Sequence, residues 1–351
     1  MQALPSFDTP DMWQRLKEEK RPIVIYGMGN GADKLIARLD SLGISFKDIF
    51  ASDGFVRGHS FHGIRVKSFS EIKEAYPDFV ILLSFGARIE EVIKMLEEID
   101  SAYDLFVPDM PVSEEEVYFD SAFYKEHFDE INKALSALED EESKNVFISI
   151  IRYKLSGRIK DLLAFTQTKE EMYSLLSPIN PTRICDVGAY NGDTLKESLL
   201  YFKSLKSAVC IEPDKKTFNK LLLNCEKLEN FTAVNCAVTG FDGEIGFSQE
   251  GGRQSAIGGS DVIKSMSLAT LCEGAEPTFI KIDSEGCEKE ILVGGKVILS
   301  EYKPKLNVAA YHKFEDVFVL SLLISEANPD YKIYLRHHPY IPAWDTLIYC
   351  V

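Results

Sequence analysis

Apolar residues follow two rhythms along this chain. Near its start, short unbroken apolar runs alternate with stretches in which apolar residues recur every three or four positions. PIVIYG, FKDIFAS, DFVILLSF and YDLFVP are the unbroken runs, and each predicts a strand buried on both faces. The segment from Gly31 to Leu42, FSEIKEAY and the segment from Arg88 to Ile99 have helical spacing, with Gly43 placed to stop the first. HSFHGIRV reads as a short hairpin or an extended connector. This alternation predicts a parallel sheet covered by helices over residues 1–110.

Residues 111–177 change character. They combine helical spacing with many charges and predict two or three helices that join two domains, with solvated charged faces. From residue 178 to 351 the α/β rhythm returns. RICDV, SAVCIE, FTAVNCAV, TFIKID, KLNVAAY, YKIYLR and DTLIYCV predict seven strands. Between the third and fourth lie GEIGF, SQEGGRQSAIGGS and SMSLATL, an expected excursion of small strands plus a mobile loop. No solenoid-type repeat is evident.

The gap before the last strand decides the topology. HHPYIPAW holds only eight residues, two of them prolines. A helical crossover between parallel strands needs a dozen or more. The last two strands must therefore be antiparallel, which an all-parallel dehydrogenase-type sheet does not allow.

Composition narrows the partners. A net charge of -16 argues against nucleic acid, whose phosphates demand a basic face. No run of eighteen apolar residues occurs, so no membrane span is expected, and MQALPSFDTPDMWQRLKEEK lacks an apolar signal core. A cytoplasmic location is the expectation. All seven cysteines lie from Cys185 onward without a CxxC pair, which predicts reduced, packed thiols and no zinc or iron–sulfur site.

Two glycine turns follow strands. In ICDVGAYNGDT, Gly188 and Gly192 let the backbone turn and approach a ligand, while Asp186 ends the strand where ligands sit in open α/β sheets. Asp186 and Asp193 beside this turn disfavour a pyrophosphate and suit an ammonium group. Thr194 and Glu197 have capping-box spacing, so Thr194 is expected to cap a helix, and Asp193 suits either task. Glu212 ends SAVCIE about twenty residues on, the spacing of a carboxylate that accepts ribose hydroxyls. Asn235 to Val238 fall near the end of the third strand, with Asn235 also suited to ending it. In TFIKIDSEGCEKEIL, Asp283 could orient or deprotonate a hydroxyl and Glu285 could sit at a helix start, while Glu288 and Glu290 suit a helix surface. KLNVAAYH ends in Tyr311 and His312, and His312 is a candidate base or acceptor ligand. His337 and His338 are expected at the surface. Asp283, Glu285 and His312 have metal-ligand chemistry but no tight ligand spacing, so no metal is expected.

The other turn, GMGNGA, places Gly27, Gly29 and Gly31 between a strand and a helix, with Asp53 beyond the second strand. This is a nucleotide fingerprint, yet the same glycines also serve close helix–strand packing.

ICDVGAYNGDT, CIEPD, NCAVTGFDGEIGFS, TFIKIDSEGCEKEIL and KLNVAAYH, with YLRHH and WDTLIYCV, resemble the FkbM-type methyltransferase family over roughly half the chain. The resemblance implies an α/β fold with a seven-stranded sheet whose last strand is antiparallel. It implies S-adenosylmethionine as cofactor, held by Asp186, Gly188, Ala189, Tyr190, Gly192, Asp193, Glu212, Asn235 and Ala237. Asp283 and His312 become the candidate catalytic pair. The implied acceptor is a hydroxyl of a small molecule or carbohydrate. Residues 1–110 resemble, more weakly, the Rossmann-like domain attached to several sugar-processing enzymes. Two other readings stay open: a nucleotide-sugar oxidoreductase using GMGNGA, and a non-catalytic binding module on a methyltransferase fold.

Overall fold

The computed structural model describes residues 3–56, 58–112, 117–176, 180–226, 228–248, 256–257 and 259–351. The first sheet is parallel and five-stranded, in the order Lys67–Ser68, Asp48–Ala51, Ile23–Tyr26, Val80–Leu83, Asp104–Phe106. Its three central strands are buried at every position, as their unbroken apolar runs require. HSFHGIRV does form a hairpin, Ser60–Phe61 against Ile64–Arg65. The short edge strand Lys67–Ser68 had no apolar run to announce it, and its Ser68 caps the next helix with Glu71 in a capping box.

The second sheet has seven strands in the order Phe231–Val234, Ser207–Ile211, Arg183–Val187, Phe279–Ile282, Lys305–Ala309, Thr346–Cys350, Ile333–His337. Thr346–Cys350 inserts antiparallel to both neighbours, and the other strand pairs are parallel. The two-proline gap therefore produces the reversal its length demands.

FTAVNCAV is two strands rather than one. Phe231–Val234 stays in the main sheet, and Ala237–Thr239 leaves it for a four-stranded sheet with Asp261–Ser267, Gly243–Ser248 and Ala256–Ile257. Asn235 marks the break, its side-chain amide donating to the carbonyls of Glu212 and Pro213 at 2.8 and 2.9 Å. The loop expected to be mobile lies largely outside the described residues. SMSLATL divides between the strand ending at Ser267 and the helix Leu268–Cys272.

The segment between the sheets also departs from expectation. Five described helices lie between residues 121 and 174, not two or three. Glu141–Ser156 is no solvated strut: Val146, Phe147, Ile150, Ile151 and Tyr153 are buried in it. Its Ser143 accepts from Arg336 Nη1 at 2.7 Å, and Asp140 pairs with Arg336 Nη2 at 2.7 Å, fastening the helix to the edge strand Ile333–His337. Its charges had hidden an apolar stripe. The largest apolar cluster runs through both sheets, from Val24 by way of Phe147 to Ile280 and Leu335. No helix among the described residues is long and apolar enough to cross a membrane.

Candidate active site

The parallel strands of the second sheet end at a common edge. Hydrogen bonding continues past them: Gly188 and Ala189 donate to Ile211 O, Glu212 to Val234 O and Asp283 to Val187 O. These bonds align the loop starts over a cavity of about 330 Å³. Gly188, Tyr190, Asp193, Glu212, Ala237, Asp283 and His312 line it. Asp186, Ala189, Gly192 and Asn235 stand behind that surface and shape it.

Gly188 is required twice over. Its φ is +73°, and an added Cβ would lie 1.8 Å from the carbonyl oxygen of Asp283. The turn and the fourth strand can touch only without a side chain there. Gly192, at φ +82°, starts the helix Asp193–Tyr201 and packs against Cys225 and Leu221. It therefore serves helix entry rather than ligand contact.

This entry displaces the expected cap. Gly192 is the cap residue, so Thr194 lies inside the helix and donates its N–H to Asp193 Oδ1 at 2.8 Å. Glu197 pairs with Lys169 at 2.7 Å instead of closing a capping box. Thr194 also lines the cavity.

Glu212 turns both oxygens to backbone donors, Oε2 to Tyr190 N and Oε1 to Asp214 N, each at 2.9 Å. Burial pushes its carboxyl up to about 7 despite these donors. Lys281 carried no sequence signal beyond a lone cation in the apolar strand FIKI. Its Nζ donates to Gly188 O at 2.6 Å and lies 3.3 Å from Asp186 and 3.6 Å from Asp283. Burial pulls the ammonium down, but Asp186, Asp283 and Asp193 outweigh it and hold Lys281 protonated. Burial raises Asp186, with Lys281 opposing the shift. Asp186 is thus a buried counter-ion behind the glycine turn, not a wall of the cavity.

Beyond the fifth strand, Tyr311 Oη donates to Asp283 Oδ1 at 3.2 Å. His312 Nε2 lies 3.5 Å from Asp283 and 3.6 Å from Glu285, and Nδ1 lies 3.0 Å from Glu288. Glu288 is 1% exposed, so its expected place on a helix surface is corrected. It sits at the start of the helix Glu288–Gly294, accepts Ser284 N at 2.6 Å and faces inward to meet His312. Burial alone pulls the imidazolium down, but Glu288, Asp283 and Glu285 hold His312 up at about 10. Burial and the neighbouring Glu288 push Asp316 up to about 8. Glu288, Asp283 and Glu285 thus favour the protonated form of His312. Asp283 and Glu285, each about one-third exposed, are the carboxylates of this cluster that line the cavity.

Asp283, Glu288 and His312 offer ligand atoms within 4.8 Å of one another.

His337 is fully buried and His338 half-buried, against the expectation that both lie at the surface. His337 Nδ1 meets Thr346 Oγ1 at 3.0 Å, and burial pulls the imidazolium down to about 3. Its strand is covered by the helix Glu141–Ser156, which the charge-rich connector did not reveal.

In the first domain, a Cβ on Gly27 would meet Ser84 and Phe85 side chains at 2.6 and 2.7 Å, and one on Gly31 would lie 2.1 Å from Ser84 O. Gly29 has φ +91° and open space around it. Asp53 accepts Ser70 Oγ at 2.6 Å and Ser70 N at 3.2 Å. Gly27, Gly31 and Asp53 thus have structural tasks. None of these four residues lines the cavity of the second sheet.

The strand order and this edge define a methyltransferase-type fold. Residues 186–341 match the family model of the methyltransferase FkbM domain. The crystal structure of methyltransferase FkbM from Methylobacillus flagellatus KT superposes with TM-score 0.71 at 19% identity, covering 99% of this chain and 94% of that one. Its match spans both large sheets. A precorrin-6y C5,15-methyltransferase from Geobacter metallireducens GS-15 aligns with TM-score 0.33 at 13% identity, over 52% of this chain and 88% of its own. Aeropyrum pernix fibrillarin, solved with S-adenosyl-L-methionine, gives 0.33 at 11% identity, over 52% and 74%. No curated protein matches the chain.

Proposed function

We propose that this methyltransferase moves the methyl group of S-adenosylmethionine to a hydroxyl of a small molecule or glycan in the cytoplasm. Two features support the cofactor: a glycine turn that closes on Asp283 without room for a Cβ, and Glu212 in the cavity at the end of the second strand. Gly188, Tyr190 and Asp193 would receive the methionine portion, Glu212 the ribose, and the Ala237 segment the base. The sulfonium supplies an already activated methyl group.

The chain's own task is to position an acceptor and move its proton. The observation that carries this reading is Asp283, which faces the cavity and is braced by Tyr311, Lys281 and His312. Asp283 accepts the hydroxyl hydrogen bond, orients the oxygen and takes its proton. His312 and Lys281 stabilise Asp283 as a carboxylate before the transfer. The charge of -16 supports an acceptor other than nucleic acid.

The test combines calorimetry with S-adenosylhomocysteine and transfer of labelled methyl to a panel of hydroxylated acceptors. Asp283→Asn is expected to lower turnover about 10²- to 10⁴-fold, with S-adenosylhomocysteine affinity nearly intact. Absence of S-adenosylhomocysteine binding by the parent protein would instead favour a non-catalytic module.

A further inference from the structure

The loop after the strand Val80–Leu83 carries the first domain into the cavity of the second. Ala87 N donates to Ile341 O at 2.7 Å, and Ile341 N donates back to Ala87 O at 2.9 Å. A Cβ on Gly86 would come within 2.8 Å of the Trp344 ring and 3.2 Å of the Tyr340 ring. This fit fixes the next residue, Arg88, beside the segment joining the last two strands. Arg88, Tyr340 and Trp344 all line the cavity.

A guanidinium and an indole N–H are donors only. The Trp344 Nε1 atom is buried without an acceptor, which is costly unless a ligand supplies one. No carboxylate is paired with Arg88 among the described residues, while the other cations of the cavity are engaged. Lys169 is held by Glu197, Lys281 by Asp186 and His312 by Glu288. The carboxylates Asp283, Glu285 and Asp345 line the same cavity.

We infer that the first domain builds the acceptor subsite: Arg88 and the Trp344 N–H receive an anionic group of the acceptor, a carboxylate or a phosphate ester. The aromatic faces of Tyr340 and Trp344 take its ring or other apolar surface. The guanidinium fork suits both anions by paired hydrogen bonds. The anion sets how far the acceptor hydroxyl stands from Asp283. This inference rests on the methyltransferase reading and assigns that same site its substrate class.

The test uses the full chain saturated with S-adenosylhomocysteine and titrated with methyl glucuronide, glucose 6-phosphate and glucose. At least one anionic probe is expected to bind about tenfold more tightly than glucose, and which one wins separates carboxylate from phosphate recognition. Arg88→Gln should weaken that probe about ten- to a hundredfold and leave S-adenosylhomocysteine affinity unchanged. Arg88→Lys should recover part of the loss, and Trp344→Phe, which keeps the ring, should weaken the probe severalfold. Glucose binding as well as both anions, or Arg88→Gln leaving the anionic probe untouched, would overturn the inference. A loss of S-adenosylhomocysteine affinity in Arg88→Gln would overturn it too, by placing Arg88 on the donor side. Failure of S-adenosylhomocysteine to bind the parent protein would overturn the methyltransferase reading itself.

Discussion

His312 Nδ1 stands 3.0 Å from a Glu288 carboxylate that is itself buried, so a histidine of the cavity wall is backed by a buried counter-ion. Removing the Glu288 charge takes away the nearest counter-ion and leaves His312 only Asp283 and Glu285, at 3.5 and 3.6 Å. Glu288→Gln should therefore cost about 1–3 kcal/mol of stability at neutral pH.

The sign of its pH dependence follows from the shift of His312. Its folded pKa is raised from 6.5 to about 10. The resulting stabilisation is fully present below 6.5 and is lost as pH rises through about 10. Denaturant unfolding at several pH values should show the widest gap between parent and Glu288→Gln in the acidic to neutral range. The gap should close in strongly alkaline buffer. A constant gap would mean that shape, not charge, links these residues.

Glu212 predicts a slope in cofactor affinity. Burial raises its folded pKa from 4.5 to about 7, so the ionised form accumulates only as pH rises through neutrality. Ionisation costs the unliganded protein stability above 4.5, a cost that grows until about 7. A carboxylate accepts ribose hydroxyls better than the neutral acid does. S-adenosylhomocysteine should accordingly bind more tightly at slightly alkaline than at slightly acidic pH. Glu212→Gln should weaken binding about tenfold or more and flatten that slope. Calorimetry on both proteins across the range checks this, and parallel slopes would remove Glu212 from the ribose site.

What the chain revealed in advance depended on how local the cause was. The seven strand segments, the reversed last strand and the strand-end positions of Glu212 and Asp283 follow from apolar runs and gap lengths, which are local. Lys281 stayed hidden because its partners Gly188 and Asp186 lie more than ninety residues away in the chain. Glu288 resembled any helix-start acid until the fold brought His312 beneath it. Arg88 belongs to the other domain, and only the Ala87–Ile341 bridge places it at the cavity. GMGNGA shows the converse limit: the fingerprint is intact, yet Ser84 and Phe85 fill the space beside two of its glycines.

Gly188→Ala isolates the close approach of the glycine turn to the fourth strand. Its positive φ alone strains an alanine by about 1–3 kcal/mol. The Cβ would also collide with Asp283 O, so the turn or the strand end must shift. The variant should melt several degrees lower and lose S-adenosylhomocysteine binding in calorimetry. Gly29→Ala is the control, since its position is also left-handed but has open space around it. It should cost less stability and leave S-adenosylhomocysteine affinity unchanged, and equal losses in both variants would make backbone strain, not contact, the cause.

Lys281 and Asp186 separate the structural from the chemical use of charge at this edge. Lys281 ties Gly188 O, Asp186 and Asp283 together from a buried position. Lys281→Met leaves the Asp186 charge buried without a counter-ion and should destabilise the protein by about 3–5 kcal/mol. Asp186→Asn in the same chain removes that charge and should restore a substantial part of the stability, because the penalty lies in the unpaired ion. Cofactor affinity should not return with it, since the carbonyl of Gly188 still lacks its donor and the turn loses its tie. A double-mutant cycle on unfolding free energy, run beside S-adenosylhomocysteine calorimetry, reads both quantities. If stability and affinity recovered together, Lys281 would be acting only as a counter-ion. If neither recovered, the contact with Gly188 O would outweigh the pairing with Asp186.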